Sequence, residues 1–278
     1  MGGLLAAAAV DCLVRRPKVG ADGAVWIHGW CRRIVRALGI ECDVVGLLPE
    51  SGAVVCNHLS YLDILLFSSV RPFVMVAKTE VRGWPLLGWL TARAGTVYVR
   101  RGGGPATYRR VNAAMAEAYR SGLPVLFFPE GTTTDGAYAD GGVMPFRRGL
   151  FHSVLDNGVA LRVAGLRYSL MEENEEASVG KDICWWGDME FLPHLIRFLG
   201  LRGVRAEIRF GDEVKERADR FVLSETARVG VVELIAGSGV WAGAGVEELG
   251  DEVGEEVGEL LLGEPTYLHD VFVVDRLG

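Results

Sequence analysis

The chain offers no uninterrupted stretch of the roughly 20 apolar residues that a membrane-spanning helix needs. Its N-terminal apolar run, Leu4 to Val10, is interrupted by Asp11 and has no basic residues ahead of it, so it is also short for a secretory signal. The five cysteines, Cys12, Cys31, Cys42, Cys56 and Cys184, include no CxxC pair. An odd number so spaced suggests neither a disulfide framework nor a thiolate zinc site, and it fits reducing, cytoplasmic surroundings. The five histidines, His28, His58, His152, His194 and His269, include no close pair of the kind a metallohydrolase uses. The G-x-S-x-G elbow of a serine hydrolase does not occur either.

What is present is a chain of 278 residues, 50% hydrophobic and 23% charged, long enough to bury a real core. The formal net charge of -7 argues against nucleic acid as a partner, but the charge is unevenly spread. Residues 1–110 carry 14 Lys and Arg against 7 Asp and Glu, and the remainder carries 15 against 29. Only the N-terminal part is therefore suited to face an anionic surface.

Val25 to Gly39 reads as a basic amphipathic helix, with Trp26, Trp30, Ile34 and Leu38 available to one side and Arg32, Arg33 and Arg36 to another. That pattern suits either a bilayer interface or a surface helix packed on the core. From residue 43, β-rich runs (Val54 to Cys56, Phe73 to Ala77, Thr96 to Val99, Pro124 to Phe128, Val159 to Tyr168, Val204 to Phe210) alternate with helical ones (Leu62 to Val70, Leu86 to Arg93, Ala106 to Ser121, Arg147 to Asn157). The expected fold is α/β, a mixed and largely buried sheet flanked by helices, with an N-terminal amphipathic membrane-associating segment. The expected division is 1–42 for that segment, 43–236 for the main domain and 237–278 for an acidic, glycine-containing appendage to which no chemistry is assigned. Asp182 to Gly203 is apolar and rich in tryptophan, fitting a lipid-facing element or a core helix.

Two constellations carry polar chemistry. In Val54-Val55-Cys56-Asn57-His58-Leu59-Ser60-Tyr61-Leu62-Asp63 a strand runs into a turn and a helix. Asp63 lies in the first helical turn, where it can accept the Nδ1 proton of His58 and leave Nε2 as a base. The alternative is a capping box, Ser60 with Asp63, beside an ordinary loop histidine. In Phe127-Phe128-Pro129-Glu130-Gly131-Thr132-Thr133-Thr134 a buried strand opens into a turn that gathers a carboxylate, three hydroxyls and exposed N–H groups. Such a turn suits a polar head group, or serves simply to end the strand.

The order of these blocks, with Gly95-Thr96-Val97-Tyr98-Val99-Arg100-Arg101 between them, resembles the glycerolipid acyltransferase family. Its members show Asn-His-x4-Asp, Gly-x-x-Phe-x-x-Arg and Phe-Pro-Glu-Gly in this order. Gly83-Trp84-Pro85-Leu86-Leu87-Gly88 and Phe146-Arg147-Arg148-Gly149 resemble its linking segments. The resemblance implies transfer of a fatty acyl group from a thioester, acyl-CoA or acyl carrier protein, to the hydroxyl of a lysolipid. It implies His58 as general base, Asp63 as its orienting partner, and Arg101, Glu130, Gly131 and Thr132 on the acceptor's head group. The thioester is a co-substrate, and no metal or other cofactor is implied. The place implied is the cytoplasmic face of the membrane, peripheral or monotopic, with the bilayer as partner.

Thr133 stands where members acting on phosphate-bearing acceptors usually have Arg. This variant, with Cys184-Trp185-Trp186-Gly187-Asp188-Met189, is similar to the lyso-ornithine-lipid acyltransferase branch. A catalytically inactive lipid-binding protein of the same fold is the alternative, although the histidine, both acids and the arginine are intact.

Overall fold

In a computed structural model of the chain, the residues described are 2–84, 87–101, 105–139, 141–171, 174, 176–237 and 272–274. Most of the acidic appendage expected at 237–278 lies outside them. Two helices open the chain, α1 (Gly2–Arg15) and α2 (Ala21–Ala37), followed by strands β1 (Glu41–Val45) and β2 (Ala53–Cys56). Then come α3 (Leu62–Val70), β3 (Val74–Lys78), α4 (Leu87–Arg93), β4 (Val97–Arg101), α5 (Pro105–Arg120) and β5 (Val125–Phe127). The remainder is α6 (Phe151–Asp156), β6 (Leu161–Leu170), α7 (Phe191–Leu199), β7 (Val204–Glu213), α8 (Arg220–Ala236) and the short β8 (Phe272–Val274).

The strands form one mixed sheet in the order β1-β7-β6-β2-β5-β3-β4-β8. Strand β2 runs parallel to both its neighbours, β5 and β6, whereas β6 and β7 are antiparallel. Period-two alternation divides the strand side chains between two layers. Ala53 and Val55 of β2, with Val125 and Phe127 of β5, pack in a cluster with Met115 of α5, Phe151 of α6 and Leu223 of α8. Val54 and Cys56, with Leu126, pack in the other cluster with Val35 of α2, Leu66 of α3 and Phe198 of α7. The sheet is thus covered on both faces, which explains why its central strands read as continuous apolar runs.

Local chemistry sets several of these boundaries. Pro105 starts α5, where its missing N–H costs nothing and its fixed φ is already helical. Asp219 caps α8 by accepting the N–H groups of Phe221 at 2.7 Å and Val222 at 2.9 Å. Strand β1 begins at Glu41, so the expected division at residue 42 falls inside a strand of the sheet.

The N-terminal helices are bound to each other through Asp11. Its Oδ2 accepts the indole N–H of both Trp26 and Trp30 at 2.9 Å, and these bonds hold its carboxyl down at about 2. Trp30 and Ile34 are buried, so that face of α2 packs on the domain. Exposed apolar side chains lie on α1, at Val10, Leu13 and Val14, and at Val25 near the start of α2. Among the described residues no helix is long and apolar enough to cross a membrane.

Candidate active site

Strands β2 and β5 are parallel neighbours, so the loops that leave their carboxyl ends emerge side by side. Ligand sites of open α/β sheets lie at such ends. The loop after β2 holds His58 and the loop after β5 holds Glu130, which is how residues 72 positions apart meet.

His58 Nδ1 lies 2.7 Å from Asp63 Oδ2. A ring nitrogen facing a carboxylate carries the proton, so in the neutral imidazole the lone pair is on Nε2, which has no hydrogen-bonding partner among the described residues. The imidazole lies flat against Phe128, with ring centroids 4.0 Å apart and an 11° interplanar angle. Two contacts therefore fix the ring: an in-plane hydrogen bond and a stack.

Asp63 is 0% exposed, and a buried carboxylate must be compensated by donors. Its Oδ2 also accepts the N–H groups of Leu59 at 2.7 Å and Ser60 at 3.0 Å. Its Oδ1 accepts the Tyr168 hydroxyl at 2.7 Å. Only half of a capping box is present. The acid reaches back to the Ser60 N–H, but the buried Ser60 hydroxyl makes no hydrogen bond among the described residues. Asp63 both closes the turn and pairs with the histidine.

Glu130 is 1% exposed, and both its oxygens face main-chain donors. Oε1 accepts the N–H of His58 at 2.6 Å and Oε2 accepts that of Met144 at 2.8 Å. Burial pushes its carboxyl up to about 7, against these donors, which favour the charged form. The Thr134 N–H donates to the His58 carbonyl at 2.9 Å, so the histidine main chain is held on both sides by the second loop. Gly131 makes the turn possible with a φ of 70°, a conformation that strains any residue with a Cβ. Thr132 and Thr133 follow it, half-buried.

Arg101 ends β4, which is separated from β5 by β3 alone. It thus occupies the same carboxyl edge of the sheet, while its side chain lies outside the described residues.

Strand β6 supplies partners that the sequence blocks do not contain. Asn57 receives the Leu166 N–H at 2.8 Å and donates to the Leu166 carbonyl at 2.9 Å, fastening the end of β2 to β6. Tyr168 lies two residues further on the same face. Burial and the neighbouring Asp63 charge raise its hydroxyl well above the ordinary range, so it remains a donor. A polar tip in the buried alternation Ala164, Leu166, Tyr168 is the sequence signal for it. The Cys184 to Met189 segment also borders the site, because the Trp185 N–H donates to the Leu59 carbonyl at 2.9 Å.

The Acyltransferase family model matches residues 46–162. A lyso-ornithine lipid O-acyltransferase of Pseudomonas aeruginosa is 36% identical over 180 residues, which is 64% of this chain and 65% of that protein. Its counterpart in Rhodobacter capsulatus is 36% identical over 186 residues, 65% of this chain and 64% of that protein. A 1-acyl-sn-glycerol-3-phosphate acyltransferase of Neisseria meningitidis serogroup B is 30% identical over 215 residues, 74% of this chain and 78% of its own length. The chain belongs to the glycerolipid acyltransferase family.

The family's fold is seen in the crystal structure of the 1-acyl-sn-glycerophosphate acyltransferase PlsC from Thermotoga maritima. That structure matches with a TM-score of 0.56 at 18% identity, covering 78% of this chain and 80% of the other. The chain spans just under two thirds of the length of the two lyso-ornithine lipid acyltransferases above. All three acyltransferase blocks lie at the carboxyl edge of one sheet. Among the described residues there is no group of three His, Cys, Asp or Glu able to hold a metal ion.

Proposed function

We propose that this protein is an O-acyltransferase that moves a fatty acyl group from a thioester to the hydroxyl of a lysolipid at a membrane surface. The observation that carries this reading is the 2.7 Å pairing of His58 Nδ1 with buried Asp63, which leaves Nε2 as an oriented base. In the reaction, Nε2 takes the proton of the acceptor hydroxyl as its oxygen attacks the thioester carbonyl. Asp63 stabilises the imidazolium that forms. The C–S bond of the tetrahedral intermediate then breaks, and the imidazolium returns its proton to the departing thiolate, giving ester and free thiol. The activated acyl group arrives on the thioester, CoA or acyl carrier protein, so no further cofactor enters these steps.

Glu130 acts in this reading through the His58 main chain, while Gly131, Thr132 and Arg101 meet the acceptor's head group. Thr133 favours an acceptor with an amino-acid head over one with a phosphomonoester, since no guanidinium fork stands there. The two relatives at 36% identity are named as lyso-ornithine lipid acyltransferases, which supports the same choice. Attachment to the cytoplasmic face of the membrane comes from exposed Val10, Leu13 and Val14 of α1, with basic residues following them.

The test is to incubate purified protein with acyl-CoA or acyl carrier protein thioester and a panel of lysolipids, and to read products by mass spectrometry. Thioester-dependent diacyl product, greatest with lyso-ornithine lipid, is expected. Absence of any new ester across the panel would overturn the reading.

A further inference from the structure

Helix α7 has two unlike sides. His194, 0% exposed, and Phe198, 2% exposed, face the interior. Leu192, Ile196 and Leu199, spaced by four and three residues and so on one side of a helix, are 62%, 63% and 46% exposed. The only charge within α7 is Arg197, in its last turn, whose long stem lets the guanidinium stay at a water boundary while the helix side lies in lipid. Trp186, 39% exposed, stands in the turn ahead, its indole N–H held by the Gly180 carbonyl at 2.9 Å.

This helix shares a layer with the N-terminal pair. His28 of α2 bonds the Ser68 carbonyl near the end of α3 at 2.7 Å. His194 of α7 meets Tyr61, just before the start of α3, at 3.2 Å. Its Nε2 donates to the Cys184 carbonyl, so its Nδ1 accepts the Tyr61 hydroxyl. Helices α2, α3 and α7 thus form one continuous layer beside the His58 loop. The exposed charges of α2 are Asp22, Arg32, Arg33 and Arg36; Arg15, Arg16 and Lys18 are exposed at and just after the end of α1, and Asp188 and Glu190 are the exposed acids ahead of α7. Three apolar side chains on a nine-residue helix fall well short of the roughly 20–30 residues a side of a stable protein interface. They do suit an interfacial helix beside a basic surface.

We propose that α7 is a second membrane contact, laid along an anionic phospholipid bilayer with Leu192, Ile196 and Leu199 among the lipids. It works with α1 to hold the mouth of the His58 loop against the bilayer, and so rests on the acyltransferase reading for its purpose. Its physical content is binding alone.

The experiment is flotation of the full-length protein and of a Leu192→Ser, Ile196→Ser, Leu199→Ser variant with vesicles of phosphatidylglycerol and phosphatidylcholine. The variant is expected to lose about tenfold or more in vesicle affinity. A single Leu192→Trp variant provides a second readout should the triple variant fold poorly. Brominated lipids should quench its fluorescence beyond that of the parent. Equal vesicle binding by a folded triple variant, or no added quenching in the Leu192→Trp variant, overturns the proposal. So does a variant that loses self-association in sedimentation while still binding vesicles, because the stripe is then a contact between proteins. Binding is read without turnover, so a failure of the acyl-transfer assay leaves this outcome unaffected.

Discussion

The Glu130 carboxylate accepts the main-chain N–H of His58 at 2.6 Å, so the side chain of one sequence block fixes the backbone of the other. Its second oxygen is committed to Met144 at 2.8 Å. Glu130→Gln must turn an amide NH2 towards one of two N–H donors. The variant is expected to lose about 1–3 kcal/mol of stability in urea unfolding. Its kcat should fall with little change in KM for the acceptor, as befits a residue that places the base.

The same carboxyl gives a pH dependence. Burial raises it from an ordinary 4.5 to about 7, so the folded protein binds this proton more tightly than the unfolded chain. Its stabilising contribution is therefore complete below about 4.5 and is lost as pH rises through about 7. The shift corresponds to about 3 kcal/mol at most. Urea unfolding at pH 5 and pH 8 should show the stability advantage of the parent over Glu130→Gln shrinking at the higher pH. A growing advantage would mean that the two N–H donors outweigh burial.

Asp63→Asn keeps an oxygen for His58 Nδ1–H and can offer its amide to the Tyr168 oxygen, while removing the charge. The rate should drop by about 10²–10⁴, the range associated with an unsupported base or wrong tautomer. Steady-state kinetics alongside a thermal melt separates this from the capping role: a melting shift with an unchanged kcat would make Asp63 a cap alone.

Tyr168→Phe removes the one donor on Asp63 Oδ1 among the described residues. Leaving a buried carboxylate oxygen unsatisfied is expected to cost about 1–3 kcal/mol of stability. With that hydroxyl gone Asp63 holds the His58 ring less firmly, so kcat should fall while KM for the acceptor stays unchanged. A purely structural tyrosine would leave kcat of the folded protein in place.

Most of the sheet was legible because buried strands with apolar residues on both faces are continuous runs. Leu62 to Val70 matches α3 to the residue, and Val54 to Cys56 misses β2 by one. Strand β1 was not legible: it lies at the sheet edge, four of its five residues are exposed, and Glu41 and Asp43 break the pattern. Helix α8 was missed because its apolar residues are spread around the helix and its start depends on one aspartate. The spacing of His58 and Asp63 foretold their contact, since a first-turn carboxylate folds back over its own loop. The burial of Glu130 was not foretold. An acid after Pro in a turn reads as exposed until the parallel pairing of β2 and β5 places the His58 N–H beneath it. Tyr168 needed the same information, being 105 residues from its partner.

Specificity is open to a gain-of-function test. Thr133→Arg restores a guanidinium beside Gly131 and Thr132. The ratio of kcat/KM for a phosphate-bearing lysolipid over lyso-ornithine lipid should rise by about tenfold, the scale of one charge-assisted bond. An unchanged ratio would separate this position from the head group.

The most direct measurement is kcat for thioester-dependent lysolipid acylation by the purified protein and by His58→Ala, with circular dichroism confirming that both are folded. Removal of the base should lower kcat by about 10²–10⁴. A folded His58→Ala protein that acylates at the parent rate would contradict the account at its centre.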